Sequence, residues 1–228
     1  MIQVIGHRGA AGLEPENTLR SYRRALEIGV DYVETDVYLT KDKRLIVMHD
    51  KTVNRTTNGS GPVEEMTFDE VRKLDAGNGE QVPTLREVLA LIKGKAKIHI
   101  ELKGDGTPKP VVDTVREMGM ISDVVITSGV TERLQEVKSL CPDVTVEHIY
   151  GNPPPDAIER ALSAKAGRVS VNIRHITQEY VDAAHKVGLL VIAWPPNTEE
   201  EIRRALSFGV DLICSDRPDV AMKVLGRD

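Results

Sequence analysis

Cysteine and large aromatic residues are scarce in this chain of 228 residues, which has two Cys, two Phe and one Trp. Cys141 and Cys214 stand far apart, and neither has a metal-type or redox-type neighbour in the sequence. This spacing argues against a cysteine-ligated metal site or a redox motif. We expect both thiols to be small buried hydrophobic groups in a protein from a reducing compartment.

Long apolar runs and an excess of basic charge are also lacking. No stretch approaches the ~20 apolar residues of a membrane span, and no basic region followed by an apolar core begins the chain. The net charge is −5 and the pI is about 5.8, whereas nucleic-acid binders normally carry a basic patch that replaces phosphate counterions. We therefore predict a cytoplasmic protein with no signal peptide, no integral membrane segment and no nucleic-acid partner.

Short apolar runs alternate with amphipathic segments along the whole chain, which is typical of βα units. The predicted strands are 2–6, 31–39, 97–102, 124–127, 144–148, 169–173, 189–194 and 211–214. The predicted helices are 17–28, 84–93, 109–118, 131–140, 156–164, 178–187, 198–208 and 217–224. Thr84, Thr131 and Thr198 stand where N-caps belong, and Glu87 would complete a capping box with Thr84.

The number of βα units predicts an α/β fold of the (β/α)₈ TIM-barrel class, formed by residues 1–228 as a single domain. An open doubly wound sheet is the rival, but its glycine-rich phosphate turn is missing after the first strand. Residues 50–83 form the only long irregular stretch, which we expect to be a βα loop at the active-site face. A short extra strand, 44–48, is expected to pair back on the second strand.

Strand alternation predicts which side chains face the barrel interior, because residues two apart share a face. Glu34 and Asp36 share one face of the second strand. On the strand 97–102, the interior face would carry His99 and Glu101, with Lys103 following on the same side. Acidic groups in a packed interior need a partner.

Two interpretations of these carboxylates are open. The first is a buried ion pair, in which Lys103 or a base from another strand neutralises Glu101. The second is a divalent cation held by Glu34, Asp36 and Glu101, of which the first two lie ~7 Å apart along one strand. Three carboxylates without Cys or grouped His match a hard ion, Mg²⁺ or Ca²⁺, better than zinc.

Two histidines and two cations are expected at the same mouth of the barrel. His7 and Arg8 end the first strand, and His49 ends the extra strand. Such a set has the groups needed for general acid–base displacement on a phosphoryl group, with Arg8 and Lys103 neutralising the phosphate. The other histidines outside the barrel interior are interpreted as structural, namely His148, His175 and His185.

The chain resembles the glycerophosphodiester phosphodiesterase family in six stretches. They are HRGAAGLEPENT, YVETDVYLTKDKRLIVMHD, VPTLREVLALI, IHIELK, VIAWPPN and DLICSDRP. The resemblance runs from residue 5 to residue 218 and so covers nearly the whole chain. It implies a (β/α)₈ barrel that hydrolyses glycerophosphodiesters to sn-glycerol 3-phosphate and an alcohol with a divalent ion. It also suggests that the substrate's glycerol hydroxyl attacks first and that water then opens a cyclic phosphate.

The resemblance also implies roles for single residues. These are acid–base catalysis for His7 and His49, phosphate binding for Arg8 and Lys103, and metal binding for Glu34, Asp36 and Glu101. Glu16 and Asn17 match a further family segment, and we expect them to cap the first helix and brace the site. Trp194 is expected to cover the carbon atoms of the substrate's glycerol.

The sequence departs from the family pattern at three places. Lys43 stands where the family usually has glycine, two prolines follow Trp194, and the segment ITSGVT lacks an aromatic residue after its serine. The prolines stiffen that loop and remove backbone donors. None of these changes touches the implied catalytic residues, so they bear on substrate preference more than on activity.

Three other functions remain open from the sequence. A lysophospholipase D would use the same catalytic residues. A non-catalytic phosphodiester-binding barrel is disfavoured because His7 and His49 are both present, and a metal-dependent aldolase or isomerase has no obvious use for them. The loops expected at the mouth are small, polar or proline-rich, so we predict small deacylated glycerophosphodiesters as substrates.

Overall fold

The computed structural model describes residues 2–227. Eight parallel strands form a closed barrel, and a short ninth strand is attached to it. The strands are β1 (Gln3–Gly6), β2 (Tyr32–Leu39), β3 (Leu45–Val47), β4 (Lys97–Leu102), β5 (Val124–Ser128), β6 (Thr145–Tyr150), β7 (Arg168–Asn172), β8 (Leu190–Trp194) and β9 (Leu212–Ser215). The helices are α1 (Leu19–Ile28), α2 (Phe68–Val71), α3 (Leu85–Ile92), α4 (Pro108–Glu117), α5 (Thr131–Leu140), α6 (Ala157–Ser163), α7 (Gln178–Lys186), α8 (Glu199–Ser207) and α9 (Pro218–Val224). The predicted TIM barrel is confirmed, with boundaries that differ from the predicted ones by at most two residues.

Pairing between β1 and β2 closes the barrel, since Ile5 lies opposite Tyr32 in a parallel ladder. The strand β1 also pairs with β9, and the remaining strands follow in reverse chain order around the barrel. The short strand β3 lies antiparallel on β2, as predicted for residues 44–48. In the turn between them, Lys43 has a φ of 62°, which is the left-handed conformation that glycine adopts most easily.

The barrel strands are buried on both faces, as parallel strands covered by helices must be. Val33 and Val37 point outward into the main apolar core between the strands and the helices. A smaller apolar cluster fills part of the barrel interior; its members are Ile5, Tyr32, Val125, Ile192, Leu212 and Cys214. Cys141 lies in the outer core, and both thiols are free and buried, as expected.

The stretch 50–83 is less irregular than the sequence analysis expected. It contains a 3₁₀ helix, Val63–Glu65, and the helix α2, which begins with a capping box between Thr67 and Glu70. Its apolar side chains form a separate small cluster with Tyr38, Ile46 and other residues of the β2–β3 hairpin. This cluster anchors the segment beside the mouth of the barrel.

Helix capping agrees with the predictions at two of three threonines. Thr84 and Thr198 form capping boxes. The prediction for Thr131 is wrong, because α5 begins at Thr131 itself after Val130, and the Thr131 hydroxyl lies 3.0 Å from His148 Nε2 instead. The helix α1 is capped by Thr18, whose side chain accepts a hydrogen bond from a backbone N–H of the first turn. The capping role expected for Glu16 and Asn17 is therefore also wrong.

Among residues 2–227, no helix is long and apolar enough to cross a membrane. The cytoplasmic location stays a prediction.

Candidate active site

A cavity of about 250 Å³ opens where the barrel strands end. It is lined by seven of the eight predicted site residues: His7, Arg8, Glu34, His49, Glu101, Lys103 and Trp194. The eighth, Asp36, lies directly behind the wall, where it contacts Arg8 and Lys103. The carboxyl ends of β1, β2, β4 and β8 thus bring together side chains that are far apart in the sequence.

Three carboxylates converge at one side of this cavity. Glu34, Asp36 and Glu101 each offer an oxygen, and these oxygens lie within 4.8 Å of one another. Glu34 Oε1 and Asp36 Oδ1 are buried without a hydrogen-bond partner in the described part of the chain. Unpaired buried carboxylate oxygens are costly, and oxygen ligands at this spacing suit a hard divalent cation. The residues therefore fit such an ion.

The pKa values of the three carboxyl groups reflect their crowding. Burial, together with the negative charge of Asp36, raises the pKa of Glu34, and burial raises the pKa of Glu101 to about 7. Burial also opposes ionisation of Asp36, but the nearby Lys103 and Arg8 outweigh it and lower its pKa. Without a cation, Glu34 and Glu101 therefore hold their protons more tightly than usual, whereas Asp36 ionises readily.

Lys103 makes the ion pair that was the alternative to a metal. Its Nζ lies 2.9 Å from Glu101 Oε1 and 3.4 Å from Asp36 Oδ1. The contacts raise the pKa of Lys103 despite its burial, so the amine is charged at neutral pH. The ion pair between Lys103 and Glu101 and the cluster of three carboxylates are therefore both present, and Lys103 leaves Glu34 Oε1 without a hydrogen-bond partner.

Arg8 is held in an unusual backbone conformation at the end of β1. Its φ is 50°, and its backbone N–H donates to Glu34 Oε2 at 2.9 Å. Its guanidinium donates to Glu16 Oε1 at 2.9 Å and lies 3.4 Å from Asp36 Oδ2. A Cβ on the following Gly9 would come within 2.4 Å of the Ser21 hydroxyl, so the turn requires glycine there.

His7 is oriented by a carboxylate from β9's end. Its Nδ1 lies 2.6 Å from Asp216 Oδ1, and Asp216 also accepts a hydrogen bond of 2.6 Å from the Asn197 amide. Burial opposes ionisation of Asp216, but the hydrogen bonds with His7 and Asn197 and the charges of His7 and Arg8 together outweigh it and lower the Asp216 pKa. With Nδ1 engaged, His7 keeps Nε2 free, 3.9 Å from Glu34 Oε2.

His49 has the same type of partner. Its Nδ1 lies 2.6 Å from Asp50 Oδ1, and Arg55 donates two hydrogen bonds to Asp50 and two to Glu16. Burial, with the charges of Lys103 and Arg8, lowers the pKa of His49 below its usual value. Each histidine thus has its Nδ1 on an aspartate, which leaves Nε2 for proton transfer at the cavity.

Several of these supporting residues were missed in the sequence. Asp50 directly follows His49, and Asp216 directly follows the last barrel strand, so position in the sequence could have identified both. Arg55 carried no such signal, because its partner Glu16 is 39 residues away. The bracing expected from Asn17 is present, since its amide donates to Asp36 Oδ2 at 2.9 Å.

Trp194 ends β8 and lines the cavity with its ring, while its indole Nε1 is buried without a partner among residues 2–227. A wider surface depression adjoins the cavity there and is lined by Arg174, Pro195 and Arg217, among others. Two histidines that were interpreted as structural have partners elsewhere: His148 stacks on Tyr150, and His185 pairs with Asp211.

Carboxylates, histidines and fixed cations at the mouth of a (β/α)₈ barrel are groups that can act on a phosphodiester. The model of the glycerophosphoryl diester phosphodiesterase family matches residues 7–220. A glycerophosphodiester phosphodiesterase of Caldanaerobacter subterraneus is 34% identical over 235 residues, covering 97% of each chain. The chain therefore belongs to the glycerophosphoryl diester phosphodiesterase family, and it is a phosphodiesterase of that kind.

Solved structures agree. The glycerophosphodiester phosphodiesterase of Agrobacterium tumefaciens superposes with a TM-score of 0.84 at 31% identity, covering 98% of this chain and all of that one (100%). A phosphodiesterase of Oleispira antarctica, solved in complex with the product sn-glycerol-3-phosphate, gives a TM-score of 0.91 at 26% identity and covers 98% of this chain and 96% of that one.

Proposed function

We propose that the protein hydrolyses glycerophosphodiesters to sn-glycerol 3-phosphate and an alcohol, using one divalent cation and the two histidines His7 and His49. The observation that carries this proposal is the pair of histidines with aspartate on Nδ1 beside a cluster of partly unpaired carboxylates. The product in the Oleispira antarctica relative is the one that such a reaction yields.

Glu34, Asp36 and Glu101 would hold the cation, which we propose to be Mg²⁺ or Ca²⁺ because all three ligands are carboxylates. A cation at this position would supply positive charge that stabilises the phosphate in the transition state. Arg8 and Lys103 add two fixed charges on the same wall of the cavity. Both stay protonated through neutral pH, since contacts with carboxylates raise the pKa of each despite burial.

His7 and His49 would divide the proton transfers. One neutral imidazole accepts a proton at Nε2 from the attacking glycerol hydroxyl, and the other, protonated, donates from Nε2 to the leaving alcohol oxygen. Water then opens the resulting cyclic phosphate, with the two imidazoles in exchanged roles, which gives sn-glycerol 3-phosphate and restores both rings. Asp216 and Asp50 accept hydrogen bonds from protonated Nδ1 atoms and so fix the orientation of the two rings. Nε2 of each ring is then left to accept or donate a proton at the cavity. Trp194 packs against the carbon atoms of the bound substrate.

The cavity favours small substrates over lysophospholipids. A volume of about 250 Å³ with several charged side chains in its walls offers an acyl chain little apolar surface, and each buried CH₂ of such a chain would contribute ~0.8 kcal/mol. We propose that residues 1–228 act as one domain, in which the segment 50–83 contributes Arg55 to the edge of the site.

The test is a substrate panel with release of the alcohol, choline or ethanolamine, as readout at fixed Mg²⁺ or Ca²⁺. This readout serves every substrate, because lysophosphatidylcholine would leave an acylated glycerol 3-phosphate and not sn-glycerol 3-phosphate. We expect higher kcat/KM for glycerophosphocholine and glycerophosphoethanolamine than for lysophosphatidylcholine kept below its micelle concentration. A clearly higher value for the lysolipid would replace the proposal by a lysophospholipase D. No release from any of the three would refute both.

A further inference from the structure

The cavity continues below the carboxylate cluster into the barrel interior. Its deep end is lined by Thr127 of β5, Glu147 of β6 and Ser170 of β7, with His99 of β4 beside them. Thr127 lies opposite Glu101 in one ladder and opposite Glu147 in the next, so this polar floor is adjacent to the proposed ion site. None of these four residues has a part in the reaction as described above.

Glu147 is the exceptional group on this floor. Its side chain is only 3% exposed, yet its Oε2 has no hydrogen-bond partner in the described part of the chain. His99 Nδ1 is 2.9 Å away and makes an ion-pair contact with this oxygen but no hydrogen bond. A buried carboxylate with unused acceptor capacity is costly in a finished core and is therefore a candidate for binding a ligand.

The groups below Glu147 close the floor. Arg168 approaches His99 Nε2 at 3.4 Å and donates to the Tyr32 hydroxyl at 3.3 Å, while its guanidinium lies over the Tyr32 ring. Because Arg168 can only donate, His99 Nε2 must accept, and the proton of a neutral imidazole then sits on Nδ1. The deep end is thus a closed polar pocket, whereas the other end of the cavity opens beside Trp194 to the wide depression.

We propose that Glu147, assisted by Ser170 and Thr127, binds the hydroxyl groups of the substrate's glyceryl half and so makes this end of the cavity selective for a polyol. The inference rests on the proposed function. In that reaction the glyceryl half is constant and the alcohol varies, so the closed end suits the constant half and the open end the variable one. In this orientation Trp194, at the open end, would cover carbon atoms of the alcohol and not, as the sequence analysis expected, those of the glycerol. A carboxylate offers two acceptor oxygens to hydroxyl donors, and the serine and threonine hydroxyls can donate or accept.

A purely structural ion pair between Glu147 and His99 is the competing explanation. Such a pair would affect folding when broken, but it would not change which substrate is preferred. Discrimination between substrates with and without the terminal hydroxyl separates the two explanations.

The experiment compares glycerophosphocholine with its 2-hydroxypropyl analogue, which lacks only the terminal hydroxyl. In the wild-type protein we expect kcat/KM to be about 10- to 100-fold lower for the analogue, because a hydrogen bond to a charged group is lost. In Glu147→Gln the ratio should shrink to about threefold or less, mainly through a higher KM for glycerophosphocholine. The matched control is Glu159→Gln, the same change on an exposed residue of α6, which should keep the wild-type ratio.

The outcomes separate this inference from the proposed function. Wild-type protein that releases sn-glycerol 3-phosphate but does not discriminate between the two substrates would overturn the polyol pocket alone, as would Glu147→Gln with the full wild-type ratio. No release from any glycerophosphodiester would overturn both. If Glu147→Gln fails to fold, the wild-type comparison together with Ser170→Ala decides, since Ser170→Ala should weaken the discrimination and its failure to do so would contradict the proposal.

Discussion

The two sides of the active site orient a histidine in the same way but are built from different parts of the molecule. On the side of His7, Asp216 follows a barrel strand and is held by the Asn197 amide. On the side of His49, Asp50 is held by Arg55 from the segment 50–83. One imidazole thus depends on the barrel framework and the other on a loop attached to it.

The two sides also differ in their exposure to solvent. The side chain of His7 is 12% exposed and that of His49 is 31% exposed, and Arg55 itself is 48% exposed. Exposed ion pairs are screened by salt and contribute little free energy. Two histidines with the same type of partner can therefore differ in how easily their side chains are displaced.

Removing either imidazole should have the largest effect on kcat, and the loss should be similar for the side of His7 and the side of His49. We expect His7→Ala and His49→Ala to fold normally and to lower kcat by about 10²–10⁴-fold, the usual contribution of acid–base catalysis. Steady-state kinetics and thermal melting of both variants test this. If either variant keeps near-normal turnover, that histidine does not carry a proton.

Neutralising the orienting aspartates should have a smaller effect. Asp216→Asn and Asp50→Asn keep the shape of the side chain but no longer favour a protonated Nδ1 on the histidine. We expect each to lower kcat by about 10- to 100-fold, as for carboxylates that orient metal-bound histidines. A loss as large as that of the alanine variants would mean that the aspartate does more than orient the ring. The pH profile of kcat should shift in both variants, which a purely structural defect would not cause.

The positioning residue Arg55 should separate the two sides. Arg55→Ala leaves His49 and Asp50 in place but removes four hydrogen bonds between Arg55 and two carboxylates. We expect kcat to fall by less than about tenfold, because exposed ion pairs contribute only ~0–1 kcal/mol. The wild-type rate should decrease at high salt and the Arg55→Ala rate should not. Arg203→Ala, which removes another exposed ion pair far from the site, is the control and should behave like the wild type.

The buried carboxyl groups between the two histidines should make the stability of the ion-free protein depend on pH. Burial raises the Glu101 pKa to about 7 in the folded state, so between its ordinary value of about 4.5 and that value the folded chain binds more protons than the unfolded one. Stability should therefore fall as pH rises from 5 to 8. Melting in EDTA should show this decrease, and added Mg²⁺ or Ca²⁺ should raise the melting temperature more at pH 8 than at pH 6. An ion-free protein that is more stable at pH 8 would contradict it.

Strand alternation predicted the inner side of the site because it is a local rule. Glu34 and Asp36 share a face of β2, and Glu101 follows on the neighbouring strand, so a period of two and a closed barrel bring them together. The same reasoning could not find Arg55, because its position depends on how the 50–83 segment packs on the β2–β3 hairpin.

Local rules also failed where a side chain had a better partner than the backbone. Thr131 was expected to cap α5, but its hydroxyl is next to His148. Asn17 was expected to cap α1, but its amide donates a hydrogen bond to Asp36, and its φ of 57° differs from the extended conformation of a usual N-cap. These contacts join strands and helices that are distant in sequence, and a single sequence does not encode them visibly.

Calorimetric titration of the EDTA-treated protein with Mg²⁺ or Ca²⁺ tests the central claim most directly. The claim is that Glu34, Asp36 and Glu101 hold one ion between the two histidines. We predict one site per chain in the wild type and in the Glu159→Gln control. Binding should be at least about tenfold weaker in Glu34→Gln and Glu101→Gln, because a hard cation depends on charged oxygen ligands. Release of sn-glycerol 3-phosphate should follow occupancy of the site. Unchanged affinity in both variants, or full activity after EDTA treatment, would contradict the account.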